Sequence, residues 1–435
     1  MYFSSLVQGV FRTVKLPFLI MLSFLYNTLT ALVGLILRVI APFHHKIGLF
    51  VKGRKTVFST LKQHISAEDR VIWFHTASLG EFEQGLPVIE RVKAACPGHK
   101  ILVTFFSPSG YEVKKNSRAA DIITYLPLDT RKNVNTFLSL AHPELAIFVK
   151  YEFWPNYLEG LRKRHIPAIL ISGIFRKNQL FFKPYGAFMR QSLHTFRHFF
   201  VQDENSAALL KNIGIDQVTV SGDTRMDRVA EILHRDNTLG FMEHFKGDHL
   251  CFVAGSTWPE DEALLLPLIA HAPETVKFVI APHNIKTAHN AALQRNIPKK
   301  AVLYSEMDHN TLPETRVLII DTIGLLTRIY HYADMAYVGG AVGNTGLHNI
   351  LEPAVFGIPV IIGPHFEKFR EARELVKLGG VSTISNQEQF LKIFNQLVEQ
   401  ESTRAGKGEI NYNYIKKNTG AVIQILEFVR ICINV

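Results

Sequence analysis

Three glutamates in this chain of 435 residues stand where a carboxylate can do chemistry: Glu81, Glu152 and Glu352. Glu81 closes Thr76-Ala77-Ser78-Leu79-Gly80-Glu81, a turn of small residues between an apolar run and a helical one. Its ordinary role there would be to offset a helix dipole. Glu152 lies in Lys150-Tyr151-Glu152-Phe153-Trp154-Pro155-Asn156. A neighbouring tryptophan can desolvate a carboxylate and raise its proton affinity, unless Trp154 merely caps the core. Glu352 falls in the first turn of a helix expected to open near Asn349, where its carboxylate could accept hydrogen bonds from the paired hydroxyls of a ribose. Ahead of it, Gly339, Gly340, Gly343 and Gly346 form a turn that lets a ligand approach the backbone, and N–H groups at the start of a helix suit a phosphate. The turn lacks G-x-G-x-x-G spacing, which argues against a dinucleotide fingerprint. A further loop, Ser172 to Phe182 with Arg176 in it, is basic and aromatic and suits an anionic or amphipathic molecule.

These residues need a frame, and the sequence alternates accordingly. Strands are expected at Val71 to His75, Ile101 to Phe105, Ile122 to Leu126, Leu145 to Val149, Ala168 to Ser172 and Phe199 to Val201, with helices between them. A second alternation runs through Leu250 to Ala254, Lys277 to Ala281, Val317 to Asp321, Met335 to Val338 and Val360 to Ile362. Such alternation predicts parallel sheets covered on both faces, with ligands at the C-terminal strand ends. The ends of the second series carry Gly255-Ser256-Thr257-Trp258, Pro282-His283-Asn284 and Asp321-Thr322-Ile323-Gly324. The expectation is therefore an α/β chain of two Rossmann-like domains facing a cleft. We expect residues 1–45 as a membrane anchor, 46–228 and 229–410 as the two domains, and 411–435 as a helix packing back across them.

The net charge of +10 is concentrated early in the chain. Up to Arg70 nine lysines and arginines face only Glu68 and Asp69, yet none interrupts the run between Lys15 and Arg38. That run is about the 20 residues a bilayer-spanning helix needs, and predicts a membrane helix or deep interfacial anchor. The heavier basic flank on its C-terminal side places the rest of the chain in the cytoplasm, against anionic lipid headgroups. No nucleic-acid-binding motif accompanies the charge. Cys96, Cys251 and Cys432 are scattered, which fits neither a disulfide framework nor a zinc site. With no H-E-x-x-H, Cys/His cluster or D-x-D, no metal is expected, and phosphate charge would fall to helix N-termini and basic side chains.

Assembled, these segments resemble the Kdo transferases, which transfer 3-deoxy-D-manno-octulosonic acid (Kdo) to lipid A at the inner membrane of Gram-negative bacteria. The likeness rests on WFHTASLGE (Trp73 to Glu81), YEFWPN (Tyr151 to Asn156), GDTRMD (Gly222 to Asp227), GSTWPEDE (Gly255 to Glu262), DTIGLL (Asp321 to Leu326) and HNILEP (His348 to Pro353). The resemblance implies a GT-B fold and an inverting, metal-independent transfer from CMP-Kdo without a cofactor. By position, Glu81 matches the family's general base, while Glu152 and Arg225 match residues that steady charge in the transition state. Asn349, Ile350, Leu351 and Glu352 match part of the cytidine nucleotide site, as do Pro282 and His283, and Ile323, Gly324 and Leu325. Ser256 and Thr257 would meet the leaving phosphate, and Arg176, Lys150 and the basic N-terminal region the lipid acceptor. The chain departs from the family pattern at Lys150 and Leu325, where glutamate is usual, at His283, where arginine is usual, and at Arg225, where lysine is usual. The implied partners are CMP-Kdo, the lipid A precursor lipid IVA and anionic lipids of the inner membrane. The rival readings are a GT-B enzyme of other specificity, such as a nucleotide-sugar epimerase or UDP-sugar-dependent lipid glycosyltransferase, and a non-catalytic membrane-surface binding protein.

Overall fold

The computed structural model describes the backbone of residues 2–434 and the side chains of residues 20–434, so the side chains of Arg12 and Lys15 lie outside the described residues. The chain divides into two units, one of Met1–Asp227 with Gly420–Val435, the other of Arg228–Thr419.

The first unit is built on seven parallel strands: β1 (Arg70–Thr76), β2 (His99–Phe105), β3 (Ile122–Tyr125), β4 (Leu145–Val149), β5 (Ala168–Gly173), β6 (Phe196–Val201) and β7 (Val218–Val220). Their order is β3-β2-β1-β4-β5-β6-β7. The second has β8 (Leu250–Thr257), β9 (Val276–Pro282), β10 (Ala301–Leu303), β11 (Val317–Ile319), β12 (Met335–Val338), β13 (Val360–Ile362) and β14 (Val381–Thr383), in the order β10-β11-β9-β8-β12-β13-β14. Each expected strand has a counterpart. The three strands that the sequence does not announce, β7, β10 and β14, are each three residues long and, except β14's first residue Val381 and β10's last residue Leu303, only partly buried. Such edges carry little apolar signal.

Strand order reverses between β1 and β4 in one sheet, where His75 lies opposite Phe148, and between β8 and β12 in the other, where Gly255 lies opposite Val338. A reversal sends the flanking connections to opposite faces and opens a crevice at the strand ends, where doubly wound sheets bind ligands.

The expected single C-terminal helix is two helices. Glu401–Lys417 belongs to the second unit and Ala421–Ile433 to the first, separated by Gly420 at φ 107°. Glycine alone adopts that conformation readily, which is why the helix breaks there. Val422, Ile425, Val429 and Ile433 then join a core with Phe82, Val88 and Ile89 of the first unit. Asp227, last residue of GDTRMD, accepts the Gly420 N–H at 2.7 Å and so caps the returning helix.

Three helices precede the first sheet, α1 (Tyr2–Ile40), α2 (His45–Lys55) and α3 (Val57–His64), and α4 (Leu79–Ala95) comes directly after β1. Residues Ile20–Ile40 of α1 are long and apolar enough to cross a membrane. One stripe of the helix nevertheless docks on the first unit. Tyr26 donates to Asp129 at 2.7 Å, Arg131 to Ser23 at 3.0 Å, and the Asn156 amide to Asn27 at 3.1 Å. Positions 23, 26 and 27 share a face at helical spacing. Phe24, Leu25, Leu32 and Val39, on other sides of α1, are exposed.

Candidate active site

In the first unit the candidate residues gather at the β1/β4 reversal. α4 begins after Ser78, and Glu81 in its first turn accepts a hydrogen bond from the Ser78 hydroxyl. Glu81 stays partly exposed while Phe82 and Gln84 beside it are buried. Its helix position thus serves as a dipole partner, yet its carboxylate remains reachable.

His75, the penultimate residue of β1, is fully buried, and sequence reasoning missed it as a site residue. Its Nδ1 lies 2.9 Å from the Thr104 hydroxyl, its Nε2 3.3 Å from Glu152 Oε2. Trp154 donates its indole N–H to the same Glu152 oxygen at 2.9 Å. Thr104 also accepts from the Trp73 indole at 2.8 Å. A proton on Nε2 satisfies the arrangement, because the Thr104 hydroxyl then donates to Nδ1 and two N–H groups converge on one carboxylate oxygen. Glu152 Oε2 is therefore held by two aromatic N–H donors, which suits holding charge better than moving a proton. The signal available in sequence was a histidine ending an otherwise apolar strand.

Lys150 and Ser172, at the ends of β4 and β5, take φ values of 65° and 54°. Left-handed backbone costs a non-glycine residue about 1–2 kcal/mol and recurs where a site over-determines the chain. The Ser172 hydroxyl pairs with Thr224 at 2.9 Å, and the Gln84 amide donates to Asp223 at 2.8 Å. Asp223 also receives the Arg225 guanidinium at 2.7 and 2.9 Å. Burial raises the Asp223 pKa, but Arg225 outweighs it and, with a smaller contribution from Lys150, leaves the carboxyl below its usual range. Arg225 is thus ion-paired within its own unit. Arg176 is exposed, and its charge acts on the half-buried Tyr151 together with that of Glu81.

The second unit gathers its candidates at the β8/β12 reversal around Asp261. This fully buried carboxylate accepts the Tyr337 hydroxyl at 2.6 Å and the N–H groups of Trp258 and Gly340 at 2.9 Å each. It ties the end of β8 to the glycine turn after β12. Gly339 is required there, since a Cβ would come within 2.5 Å of the Ser256 carbonyl oxygen and 2.6 Å of Asp261. Ser256 is the third non-glycine residue in left-handed conformation at a strand end, with φ 54°. Thr257 is buried and donates to Glu262 at 3.1 Å, which turns it away from a ligand; Ser256 is partly exposed.

Pro282 ends β9, and His283 after it stacks on Trp258 with centroids 4.6 Å apart and on His348 at 4.5 Å. The Trp258 indole donates to His348 Nε2 at 3.0 Å, so His348 accepts as a neutral ring. Burial, then the neighbouring His283, lowers its pKa. Ile323 is 84 % exposed and Gly324 has φ 97°, which puts both on a projecting loop with Leu325 at its base.

The helix expected to open near Asn349 is the four-residue segment Leu351–Ala354. Pro353 lacks an N–H, and the turn closes at Gly357 with φ 70°, so it stops short. The Asn349 side chain accepts the Leu351 N–H at 3.1 Å and occupies a donor that a phosphate would otherwise use. Ile350 and Leu351 are buried, and any contact they make with a nucleotide is through backbone. Glu352 lies in the first turn as expected, receiving Thr327 at 2.9 Å and the Asn349 amide at 3.1 Å. Among the described residues no group of three or more His, Cys, Asp or Glu is placed to hold a metal ion.

Residues 51–228 match the family model of the 3-deoxy-D-manno-octulosonic-acid transferases (kdotransferases). The match falls almost wholly within the first unit, which is similar to a Kdo-transferase domain. Whole-chain relatives extend the likeness. The chain is 26% identical over 366 residues to the 3-deoxy-D-manno-octulosonic acid transferase of Chlamydophila psittaci, covering 82% of this chain and 84% of that protein. It is 27% identical over 375 residues to the enzyme of the same description from Haemophilus influenzae, covering 82% and 86%. The UDP-GlcNAc 2-epimerase of Neisseria meningitidis superposes with a TM-score of 0.57 at 18% identity, over 83% of this chain and 99% of that one. That structural likeness bears on the fold, which is of the GT-B kind. The sequence relatives are thus Kdo transferases and the structural likeness is to the GT-B fold.

Proposed function

We propose that this chain transfers Kdo from CMP-Kdo to the lipid A precursor lipid IVA, with inversion and without a metal, at the cytoplasmic face of the inner membrane. The observation that carries the reading is the Kdo-transferase match across the unit that holds Glu81 at its sheet reversal. Glu81 takes the proton of the acceptor hydroxyl as that oxygen bonds to the anomeric carbon of Kdo. The bond from that carbon to the phosphate oxygen breaks on the opposite side, and CMP leaves with the electron pair. Glu152, held by His75 and Trp154, is the fixed negative charge beside the reacting centre, and Arg225, ion-paired with Asp223, supplies a positive one. In the second unit the partly exposed Ser256 and the turn at Gly339 and Gly340 meet the phosphate, the ring stack at Trp258 and His283 borders the nucleotide, and Glu352 takes ribose hydroxyls. Lys150 and Arg176 meet the acceptor's phosphates. The apolar faces of α1, opposite its docked stripe, favour an anchor lying in the bilayer surface.

The direct test incubates purified protein with CMP-Kdo and tetraacylated lipid IVA and weighs the product. A mass increase of one or more Kdo residues is expected. No product with CMP-Kdo, alongside turnover of a UDP-sugar, would reject the reading.

A further inference from the structure

The unit that carries α1 contains a second chemical feature, on the α1 side of the ends of β2 and β3. An open hollow of about 1120 Å³ lies between the C-terminal turns of α1, the helix α2 and the segment after β3. Its rim holds Arg38, His45, Lys52 and Lys55, and Arg54 forms part of its wall. The remaining wall is mostly apolar, with Leu37, Phe50 and Phe58, and includes the polar Asn133.

Arg54 is the informative residue. Its guanidinium donates to the carbonyl oxygens of Leu126 at 2.9 Å, Phe50 at 3.0 Å and Phe106 at 2.8 Å, and lies 3.5 Å from the centroid of the Phe50 ring. Burial presses its pKa downward, and the groups that oppose this are Tyr125 and Tyr157. None of its described bonds is to a carboxylate. A guanidinium has five N–H donors, so three carbonyls leave two unassigned, with a full positive charge balanced only by dipoles and ring faces. Partly buried cations are ordinarily paired. Arg38, Lys52 and Lys55 on the rim form no ion pair among the described residues either, although ion pairs are frequent elsewhere on this unit, as at Lys100–Asp69 and Lys114–Glu83. A wall of aromatic and aliphatic side chains under such a ring of cations matches a molecule with an anionic head and an apolar body.

The location selects the occupant. The hollow adjoins Val39, Ile40 and Phe43, which are 64%, 39% and 87% exposed and continue the apolar surface of α1. We propose that this hollow binds an anionic glycerophospholipid of the bilayer, its phosphate among Arg38, Lys52, Arg54 and Lys55 and its acyl chains along Leu37, Phe50 and Phe58. This is a lipid site built into the first unit, independent of the donor and acceptor assigned above. Guanidinium forks favour phosphate oxygens in pairs, and lysines at the rim add charge without demanding geometry.

The test uses the full chain in detergent with phosphatidylglycerol as the probe and phosphatidylcholine as its neutral counterpart, retention being read by native mass spectrometry. The protein should retain one phosphatidylglycerol and release phosphatidylcholine. K52E/K55E should weaken retention by about tenfold or more, whereas K46E/K62E, the same charge change on α2 and α3 outside the hollow, should leave it within about twofold. Lys52 and Lys55 are exposed, so neither change is a lesion of the core. If K52E/K55E shifts the melting temperature, K52Q/K55Q supplies the same comparison without charge reversal. Equal loss in both double variants would mean diffuse surface attraction and overturn the site. Equal retention of the two lipids, or retention of acylated sugar phosphate alone, would overturn it as well.

Discussion

At the scale of single residues, Glu81 and Glu152 share a chemistry but differ in surroundings, and that difference supports the roles proposed for them. Glu152 has two N–H donors fixed on one oxygen, whereas among the described residues Glu81 is held only by the hydroxyl of Ser78. A base must release its hydrogen bond and take a proton, which the lighter restraint permits. Glu81→Gln should lower turnover by about a hundred- to ten-thousandfold or more while CMP affinity and melting temperature stay near those of the parent. A role as dipole partner alone would cost stability, at most about 1 kcal/mol, and spare turnover; an active, destabilised variant would transfer the assignment to Glu152. His348 supports a second prediction. Its folded pKa is lowered by burial and by His283, so the unfolded chain binds the proton more readily. Stability contributed by neutral His348 is full above the usual histidine pKa, about 6.5, and is lost as pH falls through that range toward the lower folded value. His348→Gln keeps an acceptor for the Trp258 indole and removes the titration. Its melting temperature should therefore fall less between neutral and mildly acidic pH than the parent's; parallel profiles for the two proteins would contradict the assignment.

Among the elements, α1 joins two physical roles that its sequence presents as one. The uncharged stretch reads as a bilayer segment, but the stripe at Ser23, Tyr26 and Asn27 bonds to Arg131, Asp129 and Asn156. Removing residues 1 to 42 should still leave a folded chain, because Asp129 keeps the backbone N–H groups of Asn156 and Tyr157 at 3.1 and 3.0 Å. The loss of the Tyr26 bond to a carboxylate should cost about 1.5–3 kcal/mol of first-unit stability. The truncated protein should be more soluble and act weakly on membrane-embedded acceptor. Full sedimentation with membranes after a high-salt wash would show that binding does not depend on α1. The glycine turn after β12 is a second element under tension. Gly339→Ala would drive a methyl group into the Ser256 carbonyl and Asp261, so the variant should lose donor affinity and second-unit stability together; unchanged donor affinity would remove this turn from the site.

Across the whole molecule, the frame was legible because parallel strands buried on both faces are written as apolar runs, from Val71 to Val360. What was not legible depends on contacts between distant residues. His75 gains a role only when Thr104 and Glu152 arrive beside it from 29 and 77 residues away. Asp261 orders the second site through Tyr337 and Gly340, and no local pattern marks an aspartate in an acidic first turn as buried. The short helix at Leu351 reads as a longer one because its N-terminal residues carry a helix signal that Pro353 and Gly357 cut off. Each unit closes its own core, with Phe252, Phe278 and Phe394 at the centre of the second. A nucleotide that binds the second unit should therefore stabilise that unit specifically. By mass action, CMP at about a hundred times its dissociation constant adds about 2.7 kcal/mol. We expect CMP to raise the second unit's thermal transition, UDP to leave it nearly unchanged, and EDTA to affect neither that shift nor turnover. The motivation is that Ser256, the glycine turn and the ring stack require no ion to meet a monophosphate, whereas a UDP-sugar enzyme would respond to UDP. Equal shifts by CMP and UDP would favour the nucleotide-sugar alternatives, and a magnesium-restored loss of turnover in EDTA would require metal chemistry that these residues do not supply by themselves.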